Sequence, residues 1–132
     1  MKLWQKDIAS LKEVENFTVG NDREMDMYLA SFDVLGSLAH IEMLESVGLL
    51  TKEELTQLQQ ELKSIYKQIQ NGEFILQDDV EDIHSQIELL LTEKLGDVGK
   101  KIHSARSRND QVLVDVKLFL RRELEELVKT IQ

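Results

Sequence analysis

Cysteine and proline are absent from the 132-residue sequence, and glycine occurs only six times. Without cysteine there is neither a disulfide framework nor a thiolate metal site. Without proline, and with so little glycine, the main interrupters of helices are missing, which points to an all-α fold. Positive charge is also short, with 16 Lys and Arg against 25 Asp and Glu, a net charge of -9. Such a chain repels a phosphate backbone or an anionic membrane surface, so neither nucleic acid nor a membrane is an expected partner. No stretch approaches the ~20 apolar residues of a bilayer span. Met1 to Glu15 alternates charged and apolar residues and lacks the apolar run of a secretion signal, so the expected location is cytoplasmic.

What is present is 42% apolar residues, enough for an ordinary core, punctuated at helical intervals. After a poorly patterned start (Lys2 to Phe17) and a turn at Gly20-Asn21, Asp22 is placed to cap a helix running to Val47, with Gly48 as its stop. Thr51 and Glu54 form a capping box ahead of Leu55, Leu58, Leu62, Ile65 and Ile69, a single buried stripe, and Gly72 follows. Glu73 to Gln77 reads as extended. Asp78 or Asp79 is placed to cap a third helix with Val80, Ile83, Ile87, Leu90 and Leu91 inward and Gly96 at its end. The apolar period then lapses from Asp97 to Arg106. Ser107 with Asp110 gives a second cap signal before Leu113, Val116, Leu120, Leu124, Leu127 and Ile131, the spacing of a bundle seam. That seam is still running at Gln132, with no stop signal, as in a chain cut inside a helix.

Two helices carry polar residues in suggestive places. Asp26, Asp33, Ser37 and His40 fall within a strip roughly 60° wide at helical spacing, flanked by Leu29 and Ile41. A solvated face explains such a strip, and so does a polar seam lining a site inside a bundle. On the third helix Glu81, His84 and Glu88 share a face. Glu81-x-x-His84 is half of a di-iron carboxylate pattern, but no second Glu-x-x-His pair exists in the sequence, so no metal is expected.

The segment Lys100-Lys101-Ile102-His103-Ser104-Ala105-Arg106-Ser107-Arg108-Asn109-Asp110 puts four fixed cations and a histidine into an acidic chain. The unpaired N–H groups at the start of the following helix lie beside Arg106, Arg108 and Asn109, a combination suited to a carboxylate or phosphate. Charge and spacing alone leave this open between an anion site and a basic surface loop.

His103-Ser104-Ala105-Arg106-Ser107-Arg108-Asn109-Asp110-Gln111-Val112 resembles the signature of argininosuccinate lyases, commonly His-Thr-Gly-Arg-Ser-Arg-Asn-Asp-Gln-Val. Lys2-Leu3-Trp4, Asp33-Val34, Gly36-Ser37, Ala39 and Glu81-Asp82-Ile83-His84 agree with that family in order and spacing, so the resemblance covers essentially the whole chain. It implies the fumarase and aspartase-type fold, with residues 1–109 as an N-terminal helical domain and 110–132 as the start of a long central-bundle helix. It also implies a homotetramer when full length, no cofactor, and reversible β-elimination of argininosuccinate to arginine and fumarate. Matched by motif, Arg108 and Asn109 are the substrate-contacting pair. Asp26 falls where the family has a substrate-facing aspartate, and a family serine falls near Asp22. His84 matches a histidine at the edge of the site, and Ser104 keeps the hydroxyl of a family threonine.

The sequence departs from the pattern at Gln5-Lys6, where a glycine pair and an arginine are usual. The family's serine base, on a loop with Gly-Ser-Ser and Pro-Gln-Lys-Lys, has no counterpart in these residues, and its threonine-histidine pair is expected beyond Gln132. The rival readings are another superfamily lyase (adenylosuccinate lyase, fumarase or aspartase), a non-catalytic crystallin-like protein, and a bare helical interaction module. The Ser107-Arg108-Asn109-Asp110-Gln111 run argues against the other lyases, and retention of Arg108 and Asn109 against a crystallin. The 132-residue chain by itself is expected to form no fumarate from argininosuccinate above buffer, as followed by ultraviolet absorbance; turnover by the purified chain would overturn that expectation.

Overall fold

In a computed structural model the described residues are Phe17 and 20–132. Lys2-Leu3-Trp4, Gln5-Lys6 and the remainder of the poorly patterned start lie outside them. The described residues form helices α1 (Asp22–Asp26), α2 (Ala30–Ser46), α3 (Lys52–Gln70), α4 (Ile83–Leu95), α5 (Asp97–Lys100) and α6 (Arg108–Ile131), with a 3₁₀ turn at Lys101–His103 before α6. No strand occurs among the described residues, so the fold class is all-α as expected.

Local signals place most boundaries. The capping box of α3 is complete: Thr51 Oγ1 accepts from the Glu54 N–H at 3.2 Å and Glu54 Oε2 from the Thr51 N–H at 3.0 Å. Gly48 and Gly72 stop α2 and α3 with φ of 80° and 72°, values glycine adopts without a Cβ clash. The bonds Leu49 N–H to Leu44 O and Glu73 N–H to Gln68 O, both 2.8 Å, close these two ends.

Two boundaries differ from expectation for one physical reason. The single helix expected from Asp22 to Val47 is broken at Met27–Leu29, where tighter bonds (Tyr28 N–H to Met25 O, Leu29 N–H to Asp26 O) replace the α pattern. Asp22 is not its cap; Asn21 occupies that position without a side-chain bond. The third helix is capped by Asp82, whose Oδ1 accepts from the Ser85 N–H at 2.7 Å, rather than by Asp78 or Asp79, and buried Val80 lies outside it. Arg23 links both departures: its guanidinium donates to the carbonyls of Leu76, Gln77, Asp78 and Val80. Those carbonyls are held in a non-helical loop, and α1 is pinned against it at an angle α2 cannot follow.

The core is the three-helix contact of α2, α3 and α4, filled by Val34, Ile41, Leu44, Leu58, Leu62, Ile65, Ile83, Ile87 and Leu91, with Phe74 and Ile102 closing its ends. Helix α6 lies against α2 over its N-terminal half, as far as Phe119 and Arg122. Gly36 allows this approach, since a Cβ there would come within 3.2 Å of Val114 Cγ1. Phe32 and Phe119 meet edge to face at 6.2 Å, with Arg122 over both rings. From Arg121 onward α6 is exposed on every side.

Helix α5 packs so closely on α4 that a Cβ on Gly99 would lie 2.5 Å from the Leu91 carbonyl and 2.6 Å from the Thr92 nitrogen, both rigid backbone. Gly99→Ala is therefore expected to destabilise the fold by about 2 kcal/mol or more, read as a lowered urea midpoint; an unchanged midpoint would show that α5 can move away at no cost.

Candidate functional site

The site is built where α2, α4 and the start of α6 converge. Ser107 caps α6 as its spacing predicts, with Ser107 Oγ accepting from the Asp110 N–H and Asp110 Oδ2 from the Ser107 N–H at 2.8 Å. This fixes the register of α6, so Gln111 and Asp115 turn inward toward α2.

The polar strip of α2 does not face water. Asp33 and Ser37 are 2% and 0% exposed, which overturns the solvated-face reading for both. Asp33 Oδ1 lies 2.9 Å from His84 Nδ1 of α4 and accepts from Gln111 Nε2 of α6 at 3.3 Å. Asp115 Oδ2 is 3.7 Å from the same His84 nitrogen. Ser37 Oγ accepts from Arg106 Nη2 at 3.1 Å, and His40 Nε2 donates to the Ser104 carbonyl at 2.8 Å. Asp26, the fourth residue of the strip, is carried away with α1 and joins a different wall of the site.

Burial sets the charge states of this network. It pushes Asp115 up to about 7, with the Asp33 carboxylate adding to the rise. For His84 burial acts downward, yet the contact with Asp33 outweighs it and the histidine titrates above its ordinary value. Burial lowers Arg106, opposed by Asp33 and Asp115. His40 is lowered, again mainly by burial. One ligand atom each from Asp33, His84 and Asp115 lies within 4.8 Å of the others, a donor set of the kind that takes a small divalent cation. Here the guanidinium of Arg106 supplies compensating positive charge, and the raised values of His84 and Asp115 favour their protonated forms.

Arg108 is gripped at three points. Its Nε is 3.3 Å from Asp82 Oδ2, Nη1 donates to Gln111 Oε1 at 3.1 Å, and Nη2 donates to Ser85 Oγ at 3.1 Å. Asp82 also lines an open cleft of about 270 Å³ with Asp22, Met25, Asp26, Glu81, His84 and Val112. Four carboxylates on this wall favour a cationic group, while Arg108 and the first turn of α6 favour an anion. Burial raises Asp26 above the usual carboxylate range, partly offset by His84 and reinforced by Asp82. Asn109 is exposed in the first turn of α6, and Ser104 ends the 3₁₀ turn. The predicted residues thus divide: Asp26, His84 and, through Asp82, Arg108 surround one cleft, whereas Ser104 contacts His40 on the far side of the Arg106 loop.

A family model described as Lyase matches residues 5–132. The chain belongs to this lyase family. Its curated relatives include argininosuccinate lyases of Bacteroides thetaiotaomicron (63% identical over 131 residues), Parabacteroides distasonis (62% over 130 residues) and Thermotoga neapolitana (43% over 126 residues). These alignments cover 99%, 98% and 96% of this chain and 29%, 29% and 32% of the relatives. The chain therefore spans less than a third of their length. Among the described residues no helix is long and apolar enough to cross a membrane.

Several residues of this site were given no individual role in the sequence, although Gln111 falls within the signature. Arg23, Ser85, Gln86 and Gln111 matter only through partners far along the chain; Gln86, for example, is 1% exposed and accepts from the Gln77 N–H at 2.8 Å. A second feature was visible only as a departure from the signature. Ala105 stands where the common motif has glycine, and its φ is 58°, in the left-handed region that costs an L-residue roughly 1–2 kcal/mol.

Ala105→Gly is expected to raise stability by up to about 1 kcal/mol, the relief of that strain less the entropy of glycine; a lowered thermal midpoint would contradict it. The buried network also predicts a pH dependence. Asp115 binds its proton more tightly when folded than at its ordinary 3.8, and His84 more tightly than at 6.5, so both stabilise the fold at acid pH and lose that contribution as pH rises through their folded values. The thermal midpoint should fall from about pH 5 to about pH 8 by the equivalent of a few kcal/mol at most, and Asp115→Asn should flatten the decline. A midpoint that rises over this range would overturn the assignment.

Proposed function

We propose that these residues form the front part of an argininosuccinate lyase, and that the protein carrying them converts argininosuccinate reversibly to arginine and fumarate. The observation that carries this reading is the joining, through Asp82, of an acidic cleft wall to a fork-shaped cation at a helix N-terminus. Argininosuccinate carries its cationic guanidinium bonded directly to a succinyl dicarboxylate, so neighbouring charges of opposite sign match the two walls.

In this assignment Arg108 pairs with a substrate carboxylate and Asn109 hydrogen-bonds beside it, with the first turn of α6 adding its dipole. Asp26 faces the cationic end. His84 lines the cleft, and Ser104, on the far side of the Arg106 loop, offers its hydroxyl to substrate from there. A base removes a proton from carbon, the C–N bond breaks, and an acid protonates the departing guanidino nitrogen. The electron pair left on carbon spreads into the adjacent carboxylate, where Arg108 stabilises the added charge. The groups that move the protons belong to motifs that these 132 residues do not contain.

The proposed assembly is a homotetramer in which α6 begins the central bundle. Leu113, Leu120, Leu124, Leu127 and Ile131 are each half or more exposed along one seam, a continuous apolar face that favours association. Light scattering of the 132-residue chain is expected to show self-association that rises with concentration; a strict monomer at millimolar concentration would remove this support.

The activity is tested by Arg108→Lys in the protein that carries this segment, which keeps the charge and loses the fork. The drop in kcat/KM for argininosuccinate is expected to be at least about 100-fold, the loss of charged hydrogen bonds worth ~3 kcal/mol. Turnover near the wild-type level would refute the role of Arg108, and wild-type turnover of adenylosuccinate in place of argininosuccinate would refute the substrate.

A further inference from the structure

We infer that Gln111 and Ser85 are positioning residues that aim the Arg108 guanidinium, and that Asp33 sets the orientation in which Gln111 does so; this rests on the proposed role of Arg108 as carboxylate partner. A guanidinium has five N–H groups. Here Nη1 gives one to Gln111 and Nη2 gives one to Ser85, while Nε sits 3.3 Å from Asp82 Oδ2 as an ion pair, which leaves one N–H on each terminal nitrogen. Two free N–H groups on separate terminal nitrogens are what a two-pronged contact with a carboxylate consumes. Asp82 alone would fix the inner nitrogen and leave the plane free to rotate about its bond; Gln111 and Ser85 on opposite terminal nitrogens remove that freedom.

The amide of Gln111 has two possible orientations, and only one of them turns an oxygen toward Arg108. Gln111 is 6% exposed, and its Nε2 donates to Asp33 Oδ1. A carboxylate accepts only, so Asp33 compels the NH₂ to face inward and the oxygen to face Arg108. Asp33 in turn is held by His84 from α4. The aim of Arg108 is thus transmitted from α2 and α4 across a buried amide to the first turn of α6. His84 acts within this chain as a support for Asp33 as well as a lining residue of the cleft.

A double-mutant cycle separates this from a general structural role. In the protein that carries this segment, Gln111→Met is expected to lower kcat/KM for argininosuccinate about 10-fold in the presence of Arg108 and less than about 2-fold in the Arg108→Lys background, because its effect passes through the fork. Ser85→Ala, at a half-buried position with little risk to folding, should show the same non-additivity with a smaller drop. Equal losses in both backgrounds, for either variant, would overturn the inference. A readout independent of substrate is hydrogen exchange at Arg108 Nε in the 132-residue chain by nitrogen-15 NMR, expected to quicken several-fold in Gln111→Met and Ser85→Ala. If the wild type does not turn over argininosuccinate but exchange quickens, the substrate reading fails and the positioning stands. Exchange unchanged in both variants overturns the positioning itself.

Discussion

The buried meeting of Asp33, His84, Asp115 and Arg106 is the constraint on which the remaining architecture depends. It joins three buried charged residues, one each from α2, α4 and α6, with the partly exposed Arg106 of the loop before α6. Charges removed from water are costly unless paired, so each of these elements is confined to the one arrangement in which all the partners meet. The apolar core of α2, α3 and α4 supplies the driving force for collapse, but apolar contacts tolerate sliding. The buried charges fix register and rotation.

That fixation gives the chemistry its geometry. Once α6 is locked by Asp115 and Gln111 inside and by the Ser107 and Asp110 capping box at its start, Arg108 can only emerge beside Asp82 and Ser85 of the α4 N-terminus. Arg23, by holding four carbonyls of the loop before α4, sets α1 with Asp22 and Asp26 across the cleft from it. A cationic fork is thereby joined through Asp82 to the acidic wall of one small cleft. The same network that orients the site loses part of its contribution to stability as pH rises through the raised values of Asp115 and His84.

The starts of α3 and α6 and the stops of α2 and α3 were legible residue by residue. Thr51 with Glu54, and Ser107 with Asp110, are cap signals whose partners lie three residues away, and Gly48 and Gly72 meet a backbone demand local to their own turn. The boundaries that escaped sequence reading, the break at Met27–Leu29 and the cap at Asp82, both follow from Arg23 bonding to carbonyls more than fifty residues away. Likewise the signature from His103 to Val112, Gln111 included, was readable as a motif, whereas the contact of Gln111 with Arg108 and the part of Ser85 in it carry no local mark.

The sequence by itself determined the all-α class, the cap and stop of α3, the cap of α6, the seam of α6 and the basic segment at its start, because each depends on composition or on residues within a turn or two of one another. Only the tertiary structure decided that Asp33 and Ser37 are buried rather than solvated, that Asp26 parts from them to line the acidic wall, and which three groups aim Arg108. Those outcomes depend on charge pairing between segments distant in the chain, and such pairing exists only once the helices have packed.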